Sequence, residues 1–92
     1  MTEAEARDLI LNALAHSNVL DAEQHERFKR DPASDAELAS LGIDSMAAIN
    51  FCVALEKTLL RDVEIEELVE HPSLALLARH LALRSLQKDG NA

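Results

Sequence analysis

A serine stands where a Gly-containing loop gives way to a strongly apolar helical segment, in the stretch LGIDSMAAINFCVALE at residues 41–56. Asp and Ser are both favoured N-caps, so either Asp44 or Ser45 is the predicted cap of this helix. A cap serine needs no further role. If Asp44 is the cap, the Ser45 hydroxyl is exposed at the positive end of the helix dipole, where free backbone N–H groups favour an anion such as a phosphate ester.

No other residues have the spacing of a catalytic or metal site. The chain has no glycine-rich phosphate loop, and its carboxylates are scattered over polar faces. Cys52 lies in the apolar segment NFCVAL and is predicted to be a buried structural thiol. We therefore expect no catalytic residue, no metal and no enzyme activity of the chain's own. The histidines fall in separate predicted elements without metal-ligand spacing, and we interpret them as surface residues or partners of helix ends. They are His16, His25, His71 and His80.

Length and composition predict one small domain with an aliphatic core. The 92 residues suffice for a single domain, 1–92, with a folded core at about residues 3–87 and a frayed tail at 88–92. Hydrophobic residues make up 48% of the chain, which is typical of a globular protein. Since Phe28 and Phe51 are the only aromatic residues, Leu, Ile, Val and Ala must form the core.

Charge and cysteine content exclude several kinds of partner and location. A net charge of −8 argues against nucleic acid and anionic membrane surfaces, and it suits a soluble protein or a partner with a basic face. One cysteine cannot form a disulfide within the chain, which fits a reducing cytoplasm. The acidic N-terminus MTEAEARD lacks the features of a signal peptide, and no apolar run is long enough to span a membrane. We expect a cytoplasmic monomer.

The scarcity of Gly and Pro, with apolar residues at helical spacing, predicts an all-α fold. We expect a small four-helix bundle of three main helices, one short third helix and a long first loop. Thr2 and Glu5 form a capping-box pattern, and Ser73 is the predicted cap of the last helix. The predicted helices span about residues 3–17, 45–59, 64–70 and 74–87. The residues predicted to face the core are Ala6, Ile10, Ala13 and Leu14 in the first helix, Ala48, Phe51, Cys52, Leu55 and Leu59 in the second, Ile65, Leu68 and Val69 in the third, and Leu74, Leu76, Leu77, Ala78, Leu81 and Leu86 in the last.

The connection between the first two main helices is long and polar. Its segment DAEQHERFKR at residues 21–30 is either a short helix capped by Asp21 or an additional partner surface. The Asp31-Pro step ends this segment, since the residue before proline resists the α conformation. Gly42 permits a turn that other residues resist. The predicted anchors of the connection in the core are Val19, Leu20, Phe28, Leu38 and Leu41.

The helix at 45–59 carries a second apolar row beside its core stripe. Met46, Ile49 and Val53 form this row. A helix this apolar is either enclosed on most sides or presents apolar surface to a partner, and a small bundle can hardly enclose it. We therefore expect at least Met46 and Val53 to be exposed to a partner.

The motif LGIDSMAAI resembles the attachment motif of acyl and peptidyl carrier proteins, whose core reads Leu-Gly-x-Asp-Ser followed by Leu or Met. The likeness extends to Leu38 and Leu41 before the serine and to Leu55-Glu56 within the helix. The segment ELVEHPSLALLARHL is similar to the Leu-Phe-x-His-Pro-Thr-Leu stretch of carriers in polyketide and nonribosomal peptide assembly lines. These features together cover residues 38–82, about half of the chain, and their combination is more specific than the short motif alone.

This resemblance implies an acyl-carrier-like fold and covalent attachment of 4′-phosphopantetheine to Ser45 by a separate phosphopantetheinyl transferase that uses coenzyme A and Mg²⁺. It also implies that Asp44 caps the helix and lies beside the transferase's metal. The arm would hold an acyl or aminoacyl group as a thioester, loaded by a ligase and delivered to downstream synthase enzymes. The docking residues that the resemblance implies are Met46, Asn50, Val53, Glu56 and Lys57.

The sequence departs from the family pattern at positions that indicate which kind of pathway to expect. Asn50 and Lys57 stand where carriers of fatty acid synthesis often have acids, which favours a specialised biosynthetic pathway. The start at Met1 and the polar end favour a free-standing carrier, although a segment of a longer protein would look the same. Two other interpretations stay open. In one, the chain is an unmodified helical interaction domain in which Ser45 only caps its helix; in the other, it is a carrier-like regulatory subunit that docks on a synthase without modification.

Overall fold

In a computed structural model, which describes the backbone of residues 1–91 and the side chains of residues 1–84, the chain is helical, and no β-strand occurs in this described part. The predicted all-α fold is confirmed. Residues 22–30 of the long connection form a helix of their own. The elements are α1 (Glu3–His16), α2 (Ala22–Arg30), a 3₁₀ turn (Leu38–Leu41), α3 (Ser45–Leu59), α4 (Ile65–Glu70) and α5 (Leu74–Asn91).

Helix α1 begins and ends where its capping residues predict. The Thr2 hydroxyl accepts a hydrogen bond from the Glu5 N–H at 3.1 Å, and the Glu5 carboxylate accepts one from the Thr2 N–H at 2.9 Å. These two bonds complete the predicted capping box. The helix ends at His16, and Asn18 follows with a φ of 63°, a left-handed conformation that Asn tolerates better than most residues.

The core forms around α1, which packs against α2, α3 and α5. Ile10 and Leu14 of α1, Phe51 and Leu55 of α3 and Leu77 of α5 are fully buried. Every predicted core residue of α1 is buried, and those of α3 are buried or half-buried. Each fully buried side chain of this size contributes about 1.5–3 kcal/mol. This packing fixes α3 in the bundle and so fixes the position of the residue at its start.

Arg7 ties the long connection to α1. Its side chain is buried, and its guanidinium donates hydrogen bonds to the carbonyl oxygens of Phe28, Asp31 and Ser34 at 2.7–3.0 Å. The last carbonyls of a helix have no intrahelical partner, so Arg7 satisfies groups at the end of α2. The predicted anchors Leu20 and Leu38 are buried, and Val19, Phe28 and Leu41 are half-buried against the core.

Three side chains that were predicted to face the core do not. Ile65 and Val69 of α4 are 41% and 73% exposed, and Leu76 of α5 is 49% exposed. A helix of six residues has little more than one inward position, and Leu68 occupies it, so Ile65 and Val69 face a groove instead. Leu76 follows the buried Leu74 by two residues, about 200° around the helix, and so points away from the core.

Helix α5 extends further than its sequence predicts. Its backbone stays helical to Asn91 rather than ending near Gln87. A helix that has already formed gains one hydrogen bond for each residue added, and Gln87 and Lys88 are good helix formers. Ala92 of the predicted tail and the predicted inward side chain of Leu86 lie outside the described residues. Over the described part of the chain, no helix combines the length and apolarity needed to cross a membrane.

Candidate functional site

The loop that leads to Ser45 is fixed to the start of α5. The Leu38 N–H donates a hydrogen bond to the Pro72 carbonyl at 2.8 Å. The Asp35 carboxylate accepts one from the Ala75 N–H, also at 2.8 Å, and so satisfies a donor in the first turn of α5. These contacts hold the 3₁₀ turn from which the chain continues toward Ser45.

Gly42 and Asp44 turn the chain into α3. Gly42 has a φ of 82°, in the left-handed region that glycine adopts without steric cost. The Asp44 carboxylate accepts a hydrogen bond from the Ala47 N–H at 2.8 Å, and its carbonyl accepts one from the Ala48 N–H. Of the two candidate caps, Asp44 therefore has this role, and Ser45 is the first residue of the helix.

Ser45 is exposed, and its hydroxyl makes no hydrogen bond within the part of the chain that the structure describes. The backbone N–H groups of Ser45 and Met46 are likewise unpaired among the described residues, because the capping bonds begin at Ala47. Unpaired N–H groups and the positive end of the α3 dipole favour a negative charge at this point. A phosphate ester on the Ser45 oxygen therefore fits the site.

An apolar groove of about 650 Å³ opens beside Ser45. It is lined by Ile49 of α3 and by Ile65, Leu68 and Val69 of α4. The side chains of α4 that were predicted to enter the core thus form a surface next to the candidate site.

The outer face of α3 presents the second apolar row to solvent. Met46, Ile49 and Val53 are 69%, 49% and 42% exposed, which confirms the exposure predicted for Met46 and Val53. Asn50 and Lys57 are exposed as well. Residues three, four and seven positions apart share a helix face, so Met46, Asn50, Val53 and Lys57 form one continuous surface.

Glu56 differs from the other residues implied for docking. It is half-buried, and its carboxylate accepts a hydrogen bond from the Val63 N–H at 3.0 Å. Glu56 therefore holds the loop between α3 and α4, and its charge is only partly available to a partner.

Cys52 and the histidines do not extend the candidate site. Cys52 is buried, and this burial, together with the negative charge of nearby carboxylates, raises the pKa of its thiol to about 11. The thiol is therefore protonated and a poor nucleophile at neutral pH. Within the described residues, no three His, Cys, Asp or Glu side chains gather in a way that could hold a metal ion.

A polar cluster that was not predicted from the sequence lies between α4 and α5. Glu67 Oε1 lies 2.7 Å from His80 Nε2 and 2.8 Å from Arg84 Nη1. The ring of His71 stacks on that of His80, with 4.0 Å between the centroids. The i, i+4 spacing of His80 and Arg84 was a local signal that both share one face of a helix. Nothing local pointed to Glu67, which precedes His80 by 13 residues.

Comparisons with known proteins identify a family and a relative of the chain. The family model described as the phosphopantetheine attachment site matches residues 20–81, more than half of the chain. The chain is also 35% identical, over 85 residues, to Nonribosomal peptide synthetase 2 of Cochliobolus heterostrophus. That alignment covers 92% of the chain and spans 1% of the length of the synthetase. No solved structure gives a significant match.

Proposed function

Since the chain belongs to the phosphopantetheine-attachment family, whose members carry 4′-phosphopantetheine covalently on a serine, we propose that it is a carrier protein modified at Ser45. The choice of Ser45 as the attachment residue rests on one observation. The Ser45 hydroxyl is exposed and unpaired among the described residues, because Asp44 caps the helix in its place.

The Ser45 hydroxyl is the nucleophile of the proposed attachment step. Its oxygen forms a bond to the β-phosphorus of coenzyme A, the bond from that phosphorus to the bridging oxygen breaks, and adenosine 3′,5′-bisphosphate leaves. The serine proton passes to a base of the transferase, which also binds the Mg²⁺. Asp44 Oδ1 is engaged in the cap, whereas Oδ2 makes no hydrogen bond within the described residues. The proposed role of this second oxygen is to approach the metal of the transferase.

The chain's own part in the later steps is to position the arm and its cargo. When bound, 4′-phosphopantetheine supplies a thiol that holds an acyl or aminoacyl group as a thioester. The chain presents this arm from the fixed start of α3, between the exposed face of α3 and the apolar groove. We assign it no catalytic step of its own.

The exposed face of α3 is the proposed docking surface for partner enzymes. Met46 and Val53 supply apolar contact, and the exposed polar residues Asn50 and Lys57 add no carboxylate to this face. Glu56 borders the surface. The proposed partners are a phosphopantetheinyl transferase, a loading ligase for acyl or aminoacyl groups, and downstream synthase enzymes. The likeness to a protein named as a nonribosomal peptide synthetase supports a specialised biosynthetic pathway. That the carrier acts in the cytoplasm and as a monomer is part of the same proposal.

A second candidate function is an unmodified helical interaction domain. The observation that favours it is the exposed row of Met46, Ile49 and Val53, which a partner helix could cover without any prosthetic group. A regulatory subunit that docks on a synthase without modification would use the same surface.

Intact mass spectrometry separates these functions. The protein is incubated with coenzyme A, Mg²⁺ and a promiscuous phosphopantetheinyl transferase, beside Ser45→Ala and the control Ser40→Ala, which alters another exposed serine nearby. We expect wild type and Ser40→Ala to gain the mass of one phosphopantetheine and Ser45→Ala to gain nothing. No gain in wild type, under conditions that modify a known carrier, would reject the attachment and favour the interaction domain.

A further inference from the structure

Helix α4 forms one wall of the groove beside Ser45, yet it contributes little buried apolar surface to the core. It has six residues, all of which the structure describes, and Leu68 is the only one of them that is buried. Ile65 and Val69 line the groove and stay exposed. Burial of one leucine offsets the conformational entropy of roughly one or two ordered residues. Other interactions must therefore fix α4 in place.

The Glu67 carboxylate provides such interactions with both of its oxygens. Oε2 accepts a hydrogen bond from the Glu64 N–H at 2.7 Å. Oε1 lies 2.7 Å from His80 Nε2 and 2.8 Å from Arg84 Nη1, both on α5. Because a carboxylate only accepts hydrogen bonds, His80 Nε2 carries the proton in this contact.

The contacts with α5 continue on either side of Glu67. Arg84 Nη2 donates a hydrogen bond to the Asp62 carbonyl at 2.7 Å, in the loop before α4. His71, directly after α4, stacks on His80 with ring planes inclined by 14°. The Glu67 side chain is 15% exposed and that of Arg84 is 30% exposed, so water screens this ion pair less than it screens a surface pair. Helix α4 is thus held to α5 before, within and after its six residues.

We propose that Glu67, His80 and Arg84 form an ionic latch that positions α4 and thereby sets the width of the groove beside Ser45. Glu67 is then a positioning residue, which acts through Ile65 and Val69 on the groove wall. Without the latch, α4 keeps the burial of Leu68 and its own hydrogen bonds, and its distance from α3 is no longer fixed. The use of the groove by a tethered cargo rests on the proposed function, whereas the latch itself does not.

Amide hydrogen exchange of the unmodified protein tests the latch. Glu67→Gln keeps the shape of the side chain and removes its charge. The matched control is Glu66→Gln, an exposed neighbour on α4 whose side chain makes no hydrogen bond within the described residues. We expect residues 65–70 to exchange about tenfold faster in Glu67→Gln than in the control, because a charged hydrogen-bonded group is lost, whereas α1 should be accelerated less. Equal rates in α4, or an equal acceleration of α1, would overturn the proposal.

The distance between α3 and α4 across the groove tests the positioning role directly. A general loss of stability would not change this distance in the folded protein. In a Cys52→Ala background, spin labels are placed by Met46→Cys on α3 and Glu70→Cys on α4, both exposed positions. The reference pair is Met46→Cys with Arg79→Cys on α5. We expect Glu67→Gln to broaden the distance distribution of the first pair and leave the reference pair unchanged, and Glu66→Gln to change neither. An unchanged first pair would overturn the proposal whatever the exchange rates. Since neither measurement needs a loaded Ser45, failure of the latch is distinguishable from failure of the attachment.

Discussion

At the start of α3, a carboxylate and a hydroxyl with similar capping ability have separate roles. Asp44 accepts the Ala47 N–H at 2.8 Å, so the Ser45 oxygen does not have to. A serine that capped the helix would direct its oxygen at a backbone N–H of its own first turn. The adjacent aspartate therefore leaves the Ser45 oxygen free to face an external reactant.

Substitution of Asp44 separates its capping role from its charge. Asp44→Ala is expected to lower the free energy of unfolding by about 1 kcal/mol, because a cap is lost. Asp44→Asn keeps a capping oxygen and should unfold close to wild type in urea. The same Asp44→Asn protein should be loaded more slowly by the transferase, since the charge proposed to approach Mg²⁺ is gone. A loading rate equal to that of wild type would contradict that role of Asp44.

At the scale of elements, α2 depends on a buried cation rather than on apolar burial. None of its residues is buried, and half-buried Phe28 is its apolar contact with the core. Arg7 supplies the missing attachment through the carbonyls of Phe28, Asp31 and Ser34. An arginine one residue after the buried Ala6 was the sequence signal for this role, because it interrupts the apolar face of α1.

Arg7→Met keeps much of the length and apolar stem of the side chain and removes its donors. We expect a loss of about 2–3 kcal/mol in the free energy of unfolding, because three partly buried hydrogen bonds from a charged donor are lost. Amide exchange in residues 22–34 should rise most. The control is Arg27→Met, whose exposed pair with Glu23 contributes little, about 0.5 kcal/mol or less. Equal losses in the two variants would contradict the anchoring role of Arg7.

The length of a helix decides how well its orientation is predicted. Helix α3 has 15 residues, so its apolar positions define an inward stripe and an outward row, and both predictions are confirmed. Helix α4 has six residues, and its periodicity cannot distinguish a core face from a groove wall. The predictions for Ile65 and Val69 were wrong for this reason. The prediction for Leu76 was wrong because its angular position on α5 does not match the inward stripe of that helix.

At the scale of the whole molecule, the contacts that orient the candidate site join distant parts of the chain. Asp35 bonds to the N–H of Ala75, and Glu67 contacts His80. Caps and stripes are local patterns, which is why the start of α3 and the exposure of its outer face were predictable. Polar contacts between residues 13 to 40 positions apart leave no periodic signal in one sequence, so the latch and the anchored loop became visible only in the fold.

The proposed docking surface predicts that an exposed residue of the folded bundle affects partner binding but not stability. Val53 is 42% exposed on α3, so Val53→Asp should leave thermal unfolding nearly unchanged while it slows loading by the transferase. Leu83→Asp is the matched control, because Leu83 is 50% exposed and belongs to α5, outside the proposed docking surface. It should alter neither property. A large loss of stability in Val53→Asp would show that the side chain is buried in solution, since an unpaired buried charge is costly.

Acidification should lower the stability of the whole bundle, in part because the Glu67 carboxylate becomes protonated. Burial on its own would raise the pKa of Glu67, but hydrogen bonds from the Glu64 N–H and His80, with the charge of Arg84, hold it below the ordinary value of 4.5. A pKa lowered by folding means that the carboxylate stabilises the fold above its unfolded-state pKa, and that this contribution is lost as pH falls through the lower folded-state value. Wild type should therefore exceed Glu67→Gln in urea midpoint above pH 4.5, and the difference should shrink as the pH falls below 4.5. The midpoint of Glu66→Gln should stay parallel to that of wild type over this range. A constant difference between wild type and Glu67→Gln would mean that the charge of Glu67 does not stabilise the fold.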